Sequence, residues 1–282
     1  MRVLFFSTYE IVKQSGGVES VTRFLYEYLN SNGYSVYLMY WQNHKGLKSE
    51  LCQVGLPDKC NMNSLCNIDF IKSYLIKNEI DVVINQTAVN SRTSAGCTIA
   101  CNELKIPLVS VLHNTPDLFL RENKFFKIFF YTSFTRLLIY RMWYYFQSVF
   151  RGFKGGKFIF DNSSCVVLLS KKYFNDYCYI NTNSNFDKIE VINNPAILQI
   201  PVLPSVKENV VVFVGRLEPQ KSVDKLLDIW YIIESKYKDL GWKLYILGDG
   251  SCRRYLENLS KNMRLRNVRF VGMVDPNEYY KR

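Results

Sequence analysis

The feature that most constrains this chain is an alternation. Short apolar, β-branched runs recur between longer segments of helical period, the pattern of a parallel α/β sheet. The runs predict strands near Val3–Phe6, Ser35–Trp41, Asp81–Ile84, Leu108–Leu112, Val166–Leu169 and Ile189–Ile192. Between them the spacing predicts helices over Val18–Asn30, Phe70–Asn78, Arg92–Leu104 and Lys171–Tyr177. The first helix places Val21, Phe24, Leu25, Tyr28 and Leu29 on one face and stops at Asn32-Gly33, a pair suited to a C-terminal cap.

The stretch from Asn193-Asn194-Pro195 to Pro204 holds three prolines and little periodicity, and reads as a linker. Beyond it the alternation restarts: strand Val210–Val214, helix Val223–Tyr237, strand Lys243–Leu247, helix Cys252–Met263, strand Val268–Val271. The expected organisation is a first domain over residues 1–194, a linker over 195–208 and a second, partial α/β domain over 209–282. A chain of 282 residues with 48% hydrophobic content is long enough to bury two cores. The opening apolar run Val3–Phe6 is too short for a secretory signal and reads as a buried first strand. The eight cysteines include no Cys-x-x-Cys pair, so they read as reduced core thiols and not as a zinc or redox site.

One segment departs from the alternation. Residues 121–157 are crowded with aromatic side chains and hold eight basic residues against one acidic, Glu122, so +7 of the chain's net +11 is local. A spanning helix needs roughly 20 mostly apolar residues. Lys127, Arg136 and Arg141 interrupt this run too often for that. Two readings stand: an interfacial segment with aromatics among lipid headgroups and cations on anionic lipid, or ordinary helices with snorkelling basic ends packed on the sheet. Charge alone does not make a nucleic-acid site, and no nucleic-acid partner is expected.

Several loops follow strands, where open α/β sheets bind their ligands. Gly16-Gly17 lies between the first strand and first helix, a place for close backbone approach to a phosphate or sugar hydroxyl, or for a plain turn. His113 closes the strand Leu108–Leu112. After Val210–Val214 comes Gly215-Arg216, with Lys221 five residues further on, two cations beside a helix start that suit a diphosphate and the charge growing on it as it departs. Gly248-Asp249-Gly250 follows the next strand; Arg253 stands where a dinucleotide loop would need its third glycine, which argues against NAD. Val271-Gly272-Met273 ends the last strand, where a backbone could meet a nucleobase edge.

In order and spacing these motifs resemble the family 4 retaining glycosyltransferases, with Asn193-Asn194-Pro195 where that family has its interdomain turn. The resemblance implies an α/β protein of GT-B type: two Rossmann-like domains facing a cleft, here with the second incomplete. It implies transfer of a sugar from a nucleotide-diphosphate donor, with retention, to a glycan or lipid-linked acceptor. Bacterial surface polysaccharide synthesis at the inner, cytoplasmic face of the membrane is the expected setting, with an anionic membrane surface as partner. By the same resemblance Gly16 and Gly17 border the diphosphate and acceptor, and His113 faces the donor sugar. Arg216 and Lys221, on the loop opened by Gly215, are the electrostatic catalysts. Gly248, Asp249, Gly250, Val271, Gly272 and Met273 border the nucleoside. No cofactor and no metal are expected, and no Asp-x-Asp occurs in the chain. The family's Glu-x7-Glu motif of the second domain is missing before Arg282; the one such spacing, Glu19 to Glu27, lies on the first helix. The expectation is therefore a chain inactive or weakly active alone, with a truncated, non-catalytic chain as the alternative.

Overall fold

The computed structural model describes residues 1–12, 16–43, 49–87, 91–116, 155–181, 186–195, 208–237 and 241–274. Most of the basic aromatic segment 121–157 and of the proline-rich stretch after Pro195 lies outside the described residues. The chain divides into two compact units, Met1–Ile197 and Leu198–Arg282.

In the first unit the elements run β1 (Arg2–Tyr9), α1 (Gly17–Ser31), β2 (Ser35–Gln42), β3 (Val54–Gly55), α2 (Leu65–Lys77), β4 (Val82–Asn85), α3 (Ser91–Glu103), β5 (Leu108–Leu112), α4 (Gly155–Asp161), β6 (Cys165–Leu168), α5 (Lys172–Asn181) and β7 (Ile189–Val191). The strands form one sheet in the order β3-β2-β1-β4-β5-β6-β7, and every pairing is parallel. In β1, Val3 to Phe6 are all buried, because helices cover both faces of a central parallel strand. One face packs Leu4, Phe6 and Met39 against α2 and α3 through Ile71, Leu75, Cys97 and Cys101. The other packs Val3, Phe5 and Leu38 with Leu25 and Leu29 of α1. Such burial contributes about 1.5–3 kcal/mol for each large side chain.

The second unit runs β8 (Val210–Val214), a 3-10 turn (Pro219–Lys221), α6 (Val223–Lys236), β9 (Lys243–Leu247), α7 (Arg253–Asn262) and β10 (Val268–Gly272). Its parallel strands lie in the order β10-β9-β8. Leu227 and Trp230 of α6 meet Leu244 and Ile246 of β9 and Leu256 of α7 in its core.

Two elements differ from expectation: the two-residue β3 was not expected, and α2 begins early. Helix α2 starts at Leu65, not Phe70, because Ser64 caps it: its hydroxyl accepts from the Asn67 N–H at 3.3 Å. Asn67 itself, fully buried, pins the preceding loop. Its Oδ1 accepts from Asp58 N, and its Nδ2 donates to the carbonyls of Asp58, Asn61 and Met62. The small side chains of α3 are explained by proximity: a Cβ on Gly96 would sit 3.2 Å from the Asn63 backbone.

Replacing Asn67 with Ala removes the partner shown for the Asp58 N–H and the Met62 carbonyl, whereas the Asp58 and Asn61 carbonyls keep Trp41 Nε1 and the Ser64 N–H. Each group left unpaired costs about 1–3 kcal/mol where water cannot enter. We expect a net loss of about 2–4 kcal/mol in a urea titration. A loss under about 0.5 kcal/mol would show that water replaces the carboxamide without penalty.

Candidate functional site

Parallel pairing puts every strand's carboxyl end on one edge of its sheet. In the first unit the order reverses between β1 and β4, the switch point at which such sheets bind ligands. The loop after β1 reaches Gly16, the extended N-cap of α1, and Gly17, its first residue. The Glu19 carboxylate folds back to 2.8 Å from where a Gly16 Cβ would lie, whereas Gly17 faces open space. Gly17 thus offers bare backbone at a helix N-terminus, where anions are favoured.

His113 follows β5 on the same edge. Its Nε2 is hydrogen bonded to Oε1 of Gln86, the residue after β4. Burial pushes the imidazole pKa down to about 4, so the ring is uncharged near neutral pH. Next to Gln86 in the chain, Asn85 accepts from the Thr87 N–H at 2.9 Å and from its hydroxyl at 2.7 Å. The sequence reading missed Asn85, Gln86 and Thr87. The rule that selected His113, polar residues at the carboxyl end of a parallel strand, selects them as well.

In the second unit three loops after β8, β9 and β10 are laced by their backbones. Gly215 N donates to Leu247 O at 3.0 Å, Leu217 N to Asp249 O at 2.9 Å, and Gly248 N to Gly272 O at 2.7 Å. A Cβ on Gly248 would fall 2.0 Å from Gly215 O, and one on Gly250 2.6 Å from Leu217 O. These glycines are therefore required by the contact between loops, whatever a ligand adds. Ser251 donates to the Glu218 carboxylate through its N–H at 3.0 Å and its hydroxyl at 2.7 Å. Those bonds, the hydroxyl's foremost, hold the Glu218 carboxyl below its ordinary pKa, and the Arg216 charge adds to the effect.

Arg216 and Lys221 both stand exposed on this platform. Among the described residues, the ion pairs of the unit go to Arg253 instead, with Asp249 at 3.0 Å and Glu257 at 2.8 Å. Asp249 also accepts from Gly250 N at 2.8 Å, so its carboxylate is engaged in shaping the turn. At the end of β10 the register shifts between Phe270 and Gly272, placing Val271 in a bulge. Gly272 is buried at φ +90°, under the Arg253 guanidinium, and Met273 is exposed. Gly16, Gly17 and His113 thus belong to the first unit, and the remaining candidate residues to the second.

A hollow of ≈ 580 Å³ lies elsewhere, lined by Asp161, Cys165, Asp187 and Lys188 among others. It sits at the amino ends of β6 and β7, and the Lys188 ammonium there donates to the Phe160 and Ser163 carbonyls after α4. Its side chains serve the helix end, and it is on the edge of the sheet away from His113.

The loop geometry yields a pair of changes of opposite sign. Gly248 has φ +127° and no room for a Cβ, so Gly248→Ala is expected to cost about 2–4 kcal/mol. Ser222 holds left-handed angles (φ 50°, ψ 42°) without using its hydroxyl as a cap, so Ser222→Gly is expected to gain about 0.5–1 kcal/mol. Thermal unfolding of both variants checks the signs. A tolerated Gly248→Ala would mean that the loops do not touch as described.

Comparison with known proteins bears on the fold. Residues 208–282 match the family described as glycosyl transferases group 1. A curated Haemophilus influenzae protein described as an uncharacterized glycosyltransferase is 29% identical over 93 residues, 33% of this chain. That match spans only 26% of the relative's length. Among solved structures, WaaG, a glycosyltransferase involved in lipopolysaccharide biosynthesis, is similar over 99% of this chain and 71% of its own, with a TM-score of 0.62 at 16% identity. Anabaena HepE, solved with UDP and glucose, is similar over 99% of this chain and 72% of its own, with a TM-score of 0.63 at 16% identity. The fold is therefore of the GT-B type, with Rossmann-like parallel sheets in both units.

Proposed function

We propose that the chain is a retaining glycosyltransferase that moves a sugar from a nucleotide-diphosphate donor to a glycan or lipid-linked acceptor. The observation that carries this reading is the pair Arg216 and Lys221, exposed on a rigid backbone platform after β8. A diphosphate leaving group gains negative charge as the glycosidic bond breaks. Two fixed cations stabilise that charge without reorganising, the largest single contribution available to such a site. The laced loops hold the platform in place, so little ordering entropy is lost on binding. His113, neutral at physiological pH, contacts the sugar, where a charge would gain nothing.

The family match over residues 208–282 supports the same reading. HepE and Staphylococcus aureus TarM were each solved with UDP, which puts uridine first in the panel of donors to try. WaaG, by its description, works in lipopolysaccharide synthesis, which supports a surface polysaccharide as the product. We assign the basic aromatic segment 121–157 to an anionic membrane surface, on charge and aromatic content alone. Among the described residues no helix is long and apolar enough to cross a membrane.

The test is a thermal-shift and calorimetric titration with UDP, GDP and ADP. One of them at about 100 times its dissociation constant should stabilise the chain by about 2.7 kcal/mol. Arg216→Ala and Lys221→Ala should each weaken that ligand by about 10- to 100-fold, as expected for a charge-assisted hydrogen bond. A folded chain that binds none of the three refutes the reading. Transfer with inversion at the anomeric carbon, read by NMR of the product, would remove the retaining assignment alone. For the membrane, co-sedimentation with vesicles containing about 30% phosphatidylserine should fall steeply between low and high salt. Equal binding to neutral vesicles would count against the charge argument.

A further inference from the structure

The polar group at the switch point of the first sheet has more order than a loop requires. Asn85 ends β4 between Phe6 of β1 and Ser110 of β5. Gln86 N donates to Phe6 O at 2.9 Å, which fixes the backbone as the chain leaves the sheet. Asn85, Gln86 and Thr87 are all at least 96% buried (relative exposures 0%, 4% and 4%). The Asn85 oxygen already accepts twice from Thr87, yet its Nδ2 is buried with no partner among the described residues. An unsatisfied buried donor costs about 1–3 kcal/mol, and a ligand oxygen or ordered water would remove that cost.

The Gln86 side chain then decides the chemistry of His113. Its Oε1 lies against His113 Nε2, and a carbonyl oxygen only accepts. With the carboxamide oxygen turned to the ring, the proton of a neutral imidazole is on Nε2, and Nδ1 is left as a lone-pair acceptor. Asn85, Gln86, Thr87 and the neutral His113 carry no charge. An anion would find no counter-charge among these side chains. A neutral polyol, whose hydroxyls both donate and accept, matches an imidazole acceptor.

We infer that Gln86 is a positioning residue: it fixes His113 as the Nε2–H tautomer, so that Nδ1 accepts a hydroxyl of a neutral sugar. The sugar part rests on the proposed transferase reading; the tautomer part does not. Gln86→Leu keeps the size and removes the acceptor, and Gln86→Glu restores an acceptor at the same reach.

The experiment is two-bond 1H–15N correlation NMR of the imidazoles. The chain has two histidines, and His44→Gln assigns them. In the ligand-free protein His113 should show a single tautomer, protonated at Nε2. Gln86→Leu should show mixed tautomers or the other form, and Gln86→Glu should again hold a proton on Nε2 while its carboxylate raises the imidazole pKa. With the nucleotide that binds, the sugar-bearing donor should shift Nδ1 and the bare diphosphate should not. Gln86→Leu should weaken the sugar-bearing donor by about 3- to 10-fold relative to the bare diphosphate, the worth of one neutral hydrogen bond. An Nδ1–H tautomer in the wild-type chain, or a tautomer unmoved by Gln86→Leu, overturns the positioning role. An Nδ1 signal indifferent to the sugar overturns the subsite. Failure to bind any nucleotide sinks the transferase reading and the sugar assignment, while the ligand-free spectra still decide Gln86.

Discussion

Parallel pairing of β1 with both β2 and β4 is the constraint on which the first unit depends. It leaves β1 buried on both faces, so Val3 to Phe6 are all apolar. It also makes the connections cross over the sheet, most of them through a helix, with all carboxyl ends on one edge. Because the winding reverses at β1 and β4, the loops after those two strands diverge and leave the edge open between them. Gly16, Gln86 and His113 reach that edge from three different crossovers.

The second unit solves a related problem differently. Its three strands also end on one edge, but there the loops are drawn together by backbone hydrogen bonds. Contact that close is possible only without a Cβ at Gly248 and Gly250. The same lacing engages Asp249 and Glu218 within the platform, through Arg253 and Ser251, and leaves Arg216 and Lys221 exposed. The acidic groups are used internally and the cations face outward, which is how a mixed-charge loop comes to suit an anion. By contrast, the polar cluster of the first unit keeps its histidine uncharged by burial.

Two polar side chains act as structural pins and should not be mistaken for functional ones. Asn67 ties the loop before α2, and Lys188 closes the end of α4. In both, the donors are used on backbone carbonyls and little remains for a ligand. Asn85 differs because its oxygen is satisfied and its nitrogen is not. That asymmetry, more than burial itself, separates a candidate ligand group from a pin.

The sequence by itself determined strands such as Leu108–Leu112, Val210–Val214 and Lys243–Leu247, because short, mostly apolar runs between turn residues suit strands. It also marked the carboxyl-end loops, since glycine and charge stand out there against apolar neighbours. The short β3 and the early start of α2 were not legible: one is two residues long, and the other depends on the Ser64 cap. Only the tertiary structure joined Gln86 to His113, 27 residues away, or set Gly248 against the Gly215 carbonyl. The reason is physical. Local sequence fixes local backbone preference, but which strand ends become neighbours is decided by the winding of the whole sheet, and the chemistry of a shared edge exists only once they meet.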